Sequence, residues 1–342
     1  MVIEDFVKKY DSQNQINVLQ KSHEQLIEAW NFRIDLSGLK KNKFSAIIFC
    51  GLGGSAISGD LLTDYLSGEL QIPFIVVRGY NLPSYTDENC LVIISSYSGN
   101  TEETNSCFDQ ALKKKSKIIV ITSGGKIAET ATLNKTPIVK LRGGFQPRYA
   151  LGLSFFSLLR IMQELGLTDE QANSKKIIEL WQKRGIEYTS DNSLPMQIAE
   201  QIVGFIPVIY SSEFLSSTGY RMKSQFNENA KLHAFHNTIP EMNHNEIIGW
   251  ESYKEKQFQT KVIYLLDREF HPQNLKRFEV LKEMLTEQKV DVITLTSGEE
   301  NKKVRIMDLI FLADWISFYA AVLRGFDPSE IDFIHRMKQR LT

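Results

Sequence analysis

The chain has 342 residues, of which 40 are Lys or Arg and 41 are Asp or Glu, for a net charge of -1. That length accommodates two domains, each with its own core, and the even balance gives no electrostatic reason to expect a nucleic acid or an acidic membrane as partner. Three cysteines, Cys50, Cys90 and Cys107, are too few and too scattered for a disulfide framework or a metal knuckle.

The opening "MVIEDFVKKY" carries acidic residues at once and no apolar run. No secretory signal is expected from it, and a cytoplasmic location follows. Residues 1–35 are predicted to form an N-terminal helical segment. Short β-branched runs then alternate with longer amphipathic stretches, the pattern of βαβ units around a parallel sheet. The strand candidates are 44–50, 74–79, 91–96, 117–123 and 137–141. Between them, "SAISGDLLTDYLSG" and "TEETNSCFDQALKKK" have helical spacing. The second places acidic residues in its first turn and lysines in its last, as the helix dipole favours.

Residues 166–193 are charged and helical, without a strand candidate, and read as a bridge. Strand candidates resume at 205–212, 261–267 and 290–297. "KIIVITSGG" and "VDVITLTSGEE" resemble each other, a faint sign of internal duplication. The apolar stretch 306–323 contains Asp308 and Asp314, so it reads as a core helix rather than a membrane span. The predicted organisation is α/β: a doubly wound domain over 36–165, the bridge, a second such domain over 194–326, and a C-terminal helix over 327–342.

Two turns carry chemistry. After the first strand comes "GLGGSAISGD", in which Gly51, Gly53 and Ala56 fit a dinucleotide-binding G-x-G-x-x-A, with Arg78 at the end of the second strand able to meet a 2′-phosphate. Against that reading, Gly54 and Ser55 make the turn tighter and richer in hydroxyls than such a turn requires. The third strand runs into "SSYSGNTEET", clustering Ser96, Ser98 and Thr101 before a helix. Such a cluster suits a phosphate monoester, because free N–H groups, hydroxyl donors and the positive end of a dipole converge there. Plain helix capping is the alternative. Two such turns on neighbouring strand ends favour phosphate, since ligands of open α/β sheets lie at carboxyl ends of strands.

In their order along the chain, "GLGGSAISGD", "SYSGNTEET" and "ITSGG" resemble the sugar isomerase (SIS) domain. "VVRGYNLP", "GGFQPRYALG", "NENAK", "NHNEIIGW" and "DFIHRMKQRL" are similar to the bifunctional phosphoglucose/phosphomannose isomerase family, from about Gly51 onward. The resemblance implies two tandem SIS domains and an aldose-ketose isomerase acting on hexose 6-phosphates without cofactor or metal. It also implies a homodimer in which His244 reaches the neighbouring active site. Residue by residue, it assigns the C1/C2 proton shuttle to Glu228, ring opening to His244, and enediolate stabilisation to Arg148. Lys338 becomes a substrate contact, and Gly53, Gly54, Ser55, Ser96, Ser98 and Thr101 the phosphate site. A carboxylate suits a two-way shuttle, histidine exchanges protons near neutrality, and a fixed cation suits a developing oxyanion. Ser329 stands where the family often has threonine, which leaves epimer discrimination open.

The polar run 225–250 offers two other readings. His233, His236, Glu241 and His244 have the residue types of a zinc site, but strand spacing sets His233 and His236 on opposite faces and Pro240 interrupts any shared helix. Glu228 and His244 could equally be solvated loop residues. Three further functions stay open: a monofunctional isomerase, a non-catalytic sugar-phosphate sensor, and, least favoured, the dinucleotide protein. A sensor would need the phosphate turns but no proton shuttle.

Overall fold

The computed structural model of the chain describes residues 3–40, 43–255 and 259–341. It divides into two compact units, one of Ser22–Glu179 and one of Met1–Lys21 together with Leu180–Thr342. The chain opens with α1 (Ile3–Tyr10) and α2 (Gln15–Gln20), which belong to the second of these, and enters the first at α3 (Ser22–Asn31).

The Ser22–Glu179 unit is built on β1 (Ile47–Cys50), α4 (Gly53–Tyr65), β2 (Phe74–Val77), β3 (Leu91–Ser96), α5 (Glu102–Lys113), β4 (Lys117–Thr122), α6 (Gly125–Leu133) and β5 (Ile138–Lys140). Its five strands are all parallel, in the order β2-β1-β3-β4-β5. β1 and β3 are buried along their whole length, so both sequences are unbroken apolar runs until the hydroxyls begin. Alternate residues face opposite ways. Ile48, Cys50, Val92, Ile94 and Val120 pack with Cys107, Phe108 and Ala111 of α5 and Ile127 and Ala131 of α6. On the other face α4 lies so close that a Cβ on Gly59 would fall 2.6 Å from the Phe49 ring. Past a 3-10 turn (Pro147–Ala150), α7 (Leu151–Glu164) packs on α3 and α4.

The division between units falls inside α8 (Gln171–Glu187), in the segment read as a bridge. The second unit continues with α9 (Leu194–Ile202), β6 (Ile206–Ser212), α10 (Ser216–Glu228), β7 (Phe235–Ile239), β8 (Thr260–Leu265), α11 (Pro272–Glu287), β9 (Val292–Leu295), α12 (Lys302–Leu323) and α13 (Asp332–Gln339). Its sheet is again parallel, in the order β7-β6-β8-β9. Counted within its own unit this is 2-1-3-4, the order of the first four strands of the other sheet. The resembling segments around β4 and β9 occupy equivalent places.

Two expectations are corrected. The polar run holds a strand, β7, paired through Phe235–Ile239 to β6 and lying at the sheet edge, so this sheet has four strands where three were predicted. His233 precedes that strand and only His236 lies on it. α12 is long and apolar enough to cross a membrane by length and composition, but 94% of its most apolar window is buried inside the protein. It packs on α9, α10 and α1. Its charges are answered internally: Asp308 accepts from Arg184 Nε (3.1 Å) and from Ser297 Oγ (2.6 Å).

Candidate active site

The residues singled out in the sequence fall into both units. In the Ser22–Glu179 unit the strand order reverses between β1 and β3, and the crevice outside the carboxyl ends of those two strands is where such sheets hold ligands. Both hydroxyl-bearing turns open there. Gly53 begins α4 at φ +50°, and Gly54 follows with no room for a side chain, since a Cβ would lie 3.0 Å from Pro147 O and 3.3 Å from Arg148 N. The buried Ser55 hydroxyl accepts the Tyr97 N–H at 3.1 Å, tying the first turn to the second.

In the second turn Ser96 Oγ and Thr101 Oγ1 lie 3.0 Å apart, and Ser96 Oγ accepts the Gly99 N–H at 3.1 Å. Ser98 is exposed, its hydroxyl accepting the Asn100 N–H at 3.3 Å. Thr101 occupies the position before α5 where a capping side chain would sit, yet makes no side-chain cap bond. α4 likewise starts without one. Capping therefore does not explain the Thr101 hydroxyl, and a helix dipole with free leading N–H groups points at it.

A third turn braces the second. Gly99, at φ +71°, is pressed so tightly on the loop after β4 that a Cβ would fall 1.7 Å from Gly124 O. Ile127 N–H donates to Gly99 O (3.0 Å) and Lys126 N–H to Asn100 Oδ1 (3.0 Å). Tyr97 bridges further, donating its hydroxyl to Arg142 O (2.9 Å) and accepting from Phe145 N–H (3.0 Å). These contacts fix the cradle before any ligand arrives, which lowers the ordering cost of binding. Arg148 is buried in the 3-10 turn beside Gly54, its guanidinium 5.4 Å from the Tyr149 ring centroid. Tyr97 and the "ITSGG" turn lie within the quoted motifs, but sequence reasoning gave neither a bracing role.

The strand order also disposes of the dinucleotide reading. Such folds run 3-2-1-4-5-6, with the third strand beyond the second, whereas here β3 lies between β1 and β4. Arg78 is ion-paired with Asp60.

In the other unit, Glu228 is the last residue of α10 and half-buried. His244 closes a 3-10 turn (Glu241–His244) and is exposed. Lys338 is exposed on α13. Ser329 is buried, with its N–H on Asp327 Oδ1 (2.7 Å). Much of the polarity of the 225–250 run is satisfied internally. Glu246 accepts from Tyr210 OH (2.6 Å) and from Asn237 Nδ2 (2.7 Å), while Trp250 Nε1 donates to Tyr210 OH (3.1 Å). Burial, followed by hydrogen bonding to Glu246, raises the Tyr210 pKa. His236 Nε2 lies 2.8 Å from Ser211 Oγ, and burial, then the Lys223 charge, pulls its pKa down to about 4. Among the described residues no three His, Cys, Asp or Glu side chains converge as metal ligands.

The switch point of this second sheet, between β6 and β8, is filled by the chain itself. Glu213, at φ +45°, accepts from His271 N–H (2.8 Å) and Asn274 Nδ2 (2.9 Å) at the start of α11. Just past β8, Asp267 takes both Arg305 Nε (2.6 Å) and Nη2 (2.9 Å).

Comparison with known proteins matches both sheets. Residues 39–151 match the SIS domain, and residues 191–341 match the bacterial phospho-glucose isomerase C-terminal SIS domain. A solved structure of a hypothetical protein from Thermus thermophilus superposes with a TM-score of 0.75 at 15% identity, over 99% of this chain and 94% of that one. At that identity the likeness speaks for the fold. Two bifunctional phosphoglucose/phosphomannose isomerases are nearer in sequence. The one from Aquifex aeolicus (strain VF5) is 37% identical over 306 residues, 87% of this chain and 91% of that protein. The one from Caldicellulosiruptor bescii is 36% identical over 325 residues, 93% and 96% of the two chains. With two parallel SIS sheets, an uncapped hydroxyl cradle at one switch point, and likeness running nearly end to end, the chain belongs to the bifunctional phosphoglucose/phosphomannose isomerase family.

Proposed function

We propose that this protein interconverts glucose 6-phosphate and mannose 6-phosphate with fructose 6-phosphate by moving one proton between C1 and C2 through an enediolate. The observation that carries the reading is the uncapped Ser96–Thr101 cradle at the β1/β3 switch point, in a chain whose length matches such isomerases. The phosphate is assigned to Ser55, Ser96, Ser98 and Thr101 with the leading N–H groups of α4 and α5. Phosphate is remote from the reacting carbons, so this binding serves ground and transition states alike.

Glu228 takes the proton from one carbon and returns it to the other. His244 exchanges a proton with the ring oxygen to open the sugar, a task that imidazole performs near neutral pH. Arg148 offsets charge on the enediolate oxygen, and Lys338 contacts substrate. These assignments, the homodimer, and the reach of His244 into the neighbouring subunit's site are parts of the proposal. So is a cytoplasmic location, with which three buried, unbridged cysteines agree.

The direct test is a coupled assay of the purified protein with glucose 6-phosphate and with mannose 6-phosphate, before and after chelation. Turnover of both, unchanged by chelator, is expected. Turnover of one epimer alone points to a monofunctional enzyme, and none to a sensor. The shared site is tested by refolding Glu228→Gln and His244→Ala chains together at equal concentration. About half of the dimers are then mixed and hold one intact site each, so about a quarter of wild-type activity returns. Activity no higher than that of the parents, with mixed dimers verified by mass, removes the exchange of His244.

A further inference from the structure

The carboxy-terminal unit contains a polar ladder in a place where apolar side chains would pack as well. On α10 and the residue that ends it, Arg221, Gln225 and Asn229 recur every fourth residue, and all three are buried and bonded to α12. Arg221 Nε and Nη2 donate to Asp314 Oδ1 (2.9 Å) and Oδ2 (2.8 Å) as a planar fork. Gln225 Nε2 adds a bond to Asp314 Oδ1 at 3.0 Å. Three residues on, Ser317 Oγ donates to Asp314 O (2.8 Å) and accepts from Asn229 Nδ2 (2.9 Å). About two turns further, just past the end of α12, Arg324 Nε donates to Ala230 O (3.1 Å). The turn that follows α10 is thus held from α12 as firmly as the helix itself.

A buried ion pair is a weak source of stability, since well-packed apolar residues in its place are often neutral or better. What the ladder supplies is direction. Glu228 lies three residues after Gln225 and seven after Arg221, on the same side of α10, with Asn229 as its immediate neighbour. A helix with side chains is roughly 5 to 6 Å in radius, so a rotation of about 10° displaces a side-chain end by about 1 Å. Errors of about 1 Å at reacting groups cost on the order of a hundredfold in rate. Apolar contacts are non-directional and tolerate such a rotation, whereas a bidentate fork does not.

We infer that Asp314, through Arg221 and Gln225, and Ser317, through Asn229, are positioning residues that fix the rotation and axial register of α10 and so the place of the Glu228 carboxylate. The inference rests on the assignment of Glu228 as proton shuttle.

The deciding variant replaces the ladder by apolar residues of similar size, Arg221→Met, Gln225→Leu and Asp314→Leu together. Its Tm is expected at or above that of the wild type, its KM for fructose 6-phosphate within about twofold, and its kcat lower by about tenfold or more. A folded triple variant with wild-type kcat overturns the inference, as does a loss confined to KM. Should the triple variant not fold, Ser317→Ala decides. It removes the acceptor of the buried Asn229 Nδ2 together with the Ser317 bond to Asp314 O, so Tm falls somewhat, and a kcat loss of about threefold or more in protein still folded at the assay temperature, with KM unchanged, supports positioning. Wild-type kcat in Ser317→Ala then overturns it. Glu228→Gln in the wild-type background separates the two claims. If that variant turns over normally, the assignment of Glu228 is at fault. If it is inactive while the triple variant is active, only the role of the ladder falls.

Discussion

The two sheets of this protein share one parallel strand order, and each reverses between its first and third strands. At the β1/β3 reversal the chain presents hydroxyls and uncapped helix starts. At the β6/β8 reversal it presents Glu213, already hydrogen-bonded to the start of α11, and Asp267, already paired with Arg305. An anion entering the second crevice would meet carboxylates where the first offers donors. Topology decides where a ligand could sit, and a handful of side chains at strand ends decide whether one does. The second unit is then free to supply other chemistry, and Glu228 and His244 lie there.

The sharpest way to break this division of labour is Glu228→Gln. It should keep the fold and the phosphate affinity, and lower kcat by at least about a hundredfold, the scale of a lost general base. Solvent deuterium incorporation at C2 should vanish with it, and exchange at near wild-type rate removes Glu228 from the mechanism.

Next in size is an acid sensitivity of the second unit. The unfolded His236 imidazole takes up a proton near 6.5, but the folded one only near 4. Its stabilisation is therefore complete above about 6.5 and is lost as pH falls from there toward 4, by about 3 kcal/mol in all. The pH dependence of Tm over that window should flatten in His236→Gln. An equal slope in both proteins means that other groups carry the acid response.

On the first unit, Ser96→Ala with Thr101→Ala should raise KM about tenfold for all three hexose 6-phosphates and leave kcat nearly unchanged, as expected for loss of uniform binding. An effect on one epimer alone would place these hydroxyls near the reacting carbons instead. The smallest effect belongs to the filled crevice. Glu213→Ala removes two hydrogen bonds at a partly exposed place, at a cost of about 1 kcal/mol, or a Tm lower by about 2 to 4 °C. KM should not move, and a changed KM would show that the second crevice communicates with substrate after all.

How much of this was legible follows from the residues. Eight strands announced themselves by apolar, β-branched runs, most plainly β1 and β3, where cover on both faces forces such sequence. β7, "FHNTI", did not, because of its five residues only Ile239 is buried, and His236, Asn237 and Thr238 leave it without the apolar, β-branched run that marks the other strands. The cradle was legible because strand end, hydroxyls and helix start are contiguous in sequence. Its bracing was not, since Tyr97 reaches Arg142 and Phe145 and Gly99 presses on Gly124, partners that lie in other turns. Nor could the spacing of Arg221, Gln225 and Asn229 be told from a solvated helix face, because burial of their partners on α12 depends on residues some ninety positions away.

The division of the chain also bears on how the protein is made. Ser22–Glu179 is contiguous and can fold as soon as it leaves the ribosome, as domains generally do. α1 packs on α12, so its partner surface is synthesised only after roughly 300 intervening residues, a delay on the order of 15 to 60 seconds at ordinary elongation rates. During that interval the eight residues of α1 have no surface to pack on, and so short a segment does not hold a helix by itself. The second unit closes only once α12 has emerged, which makes truncation before that helix far more damaging to it than to the cradle-bearing half.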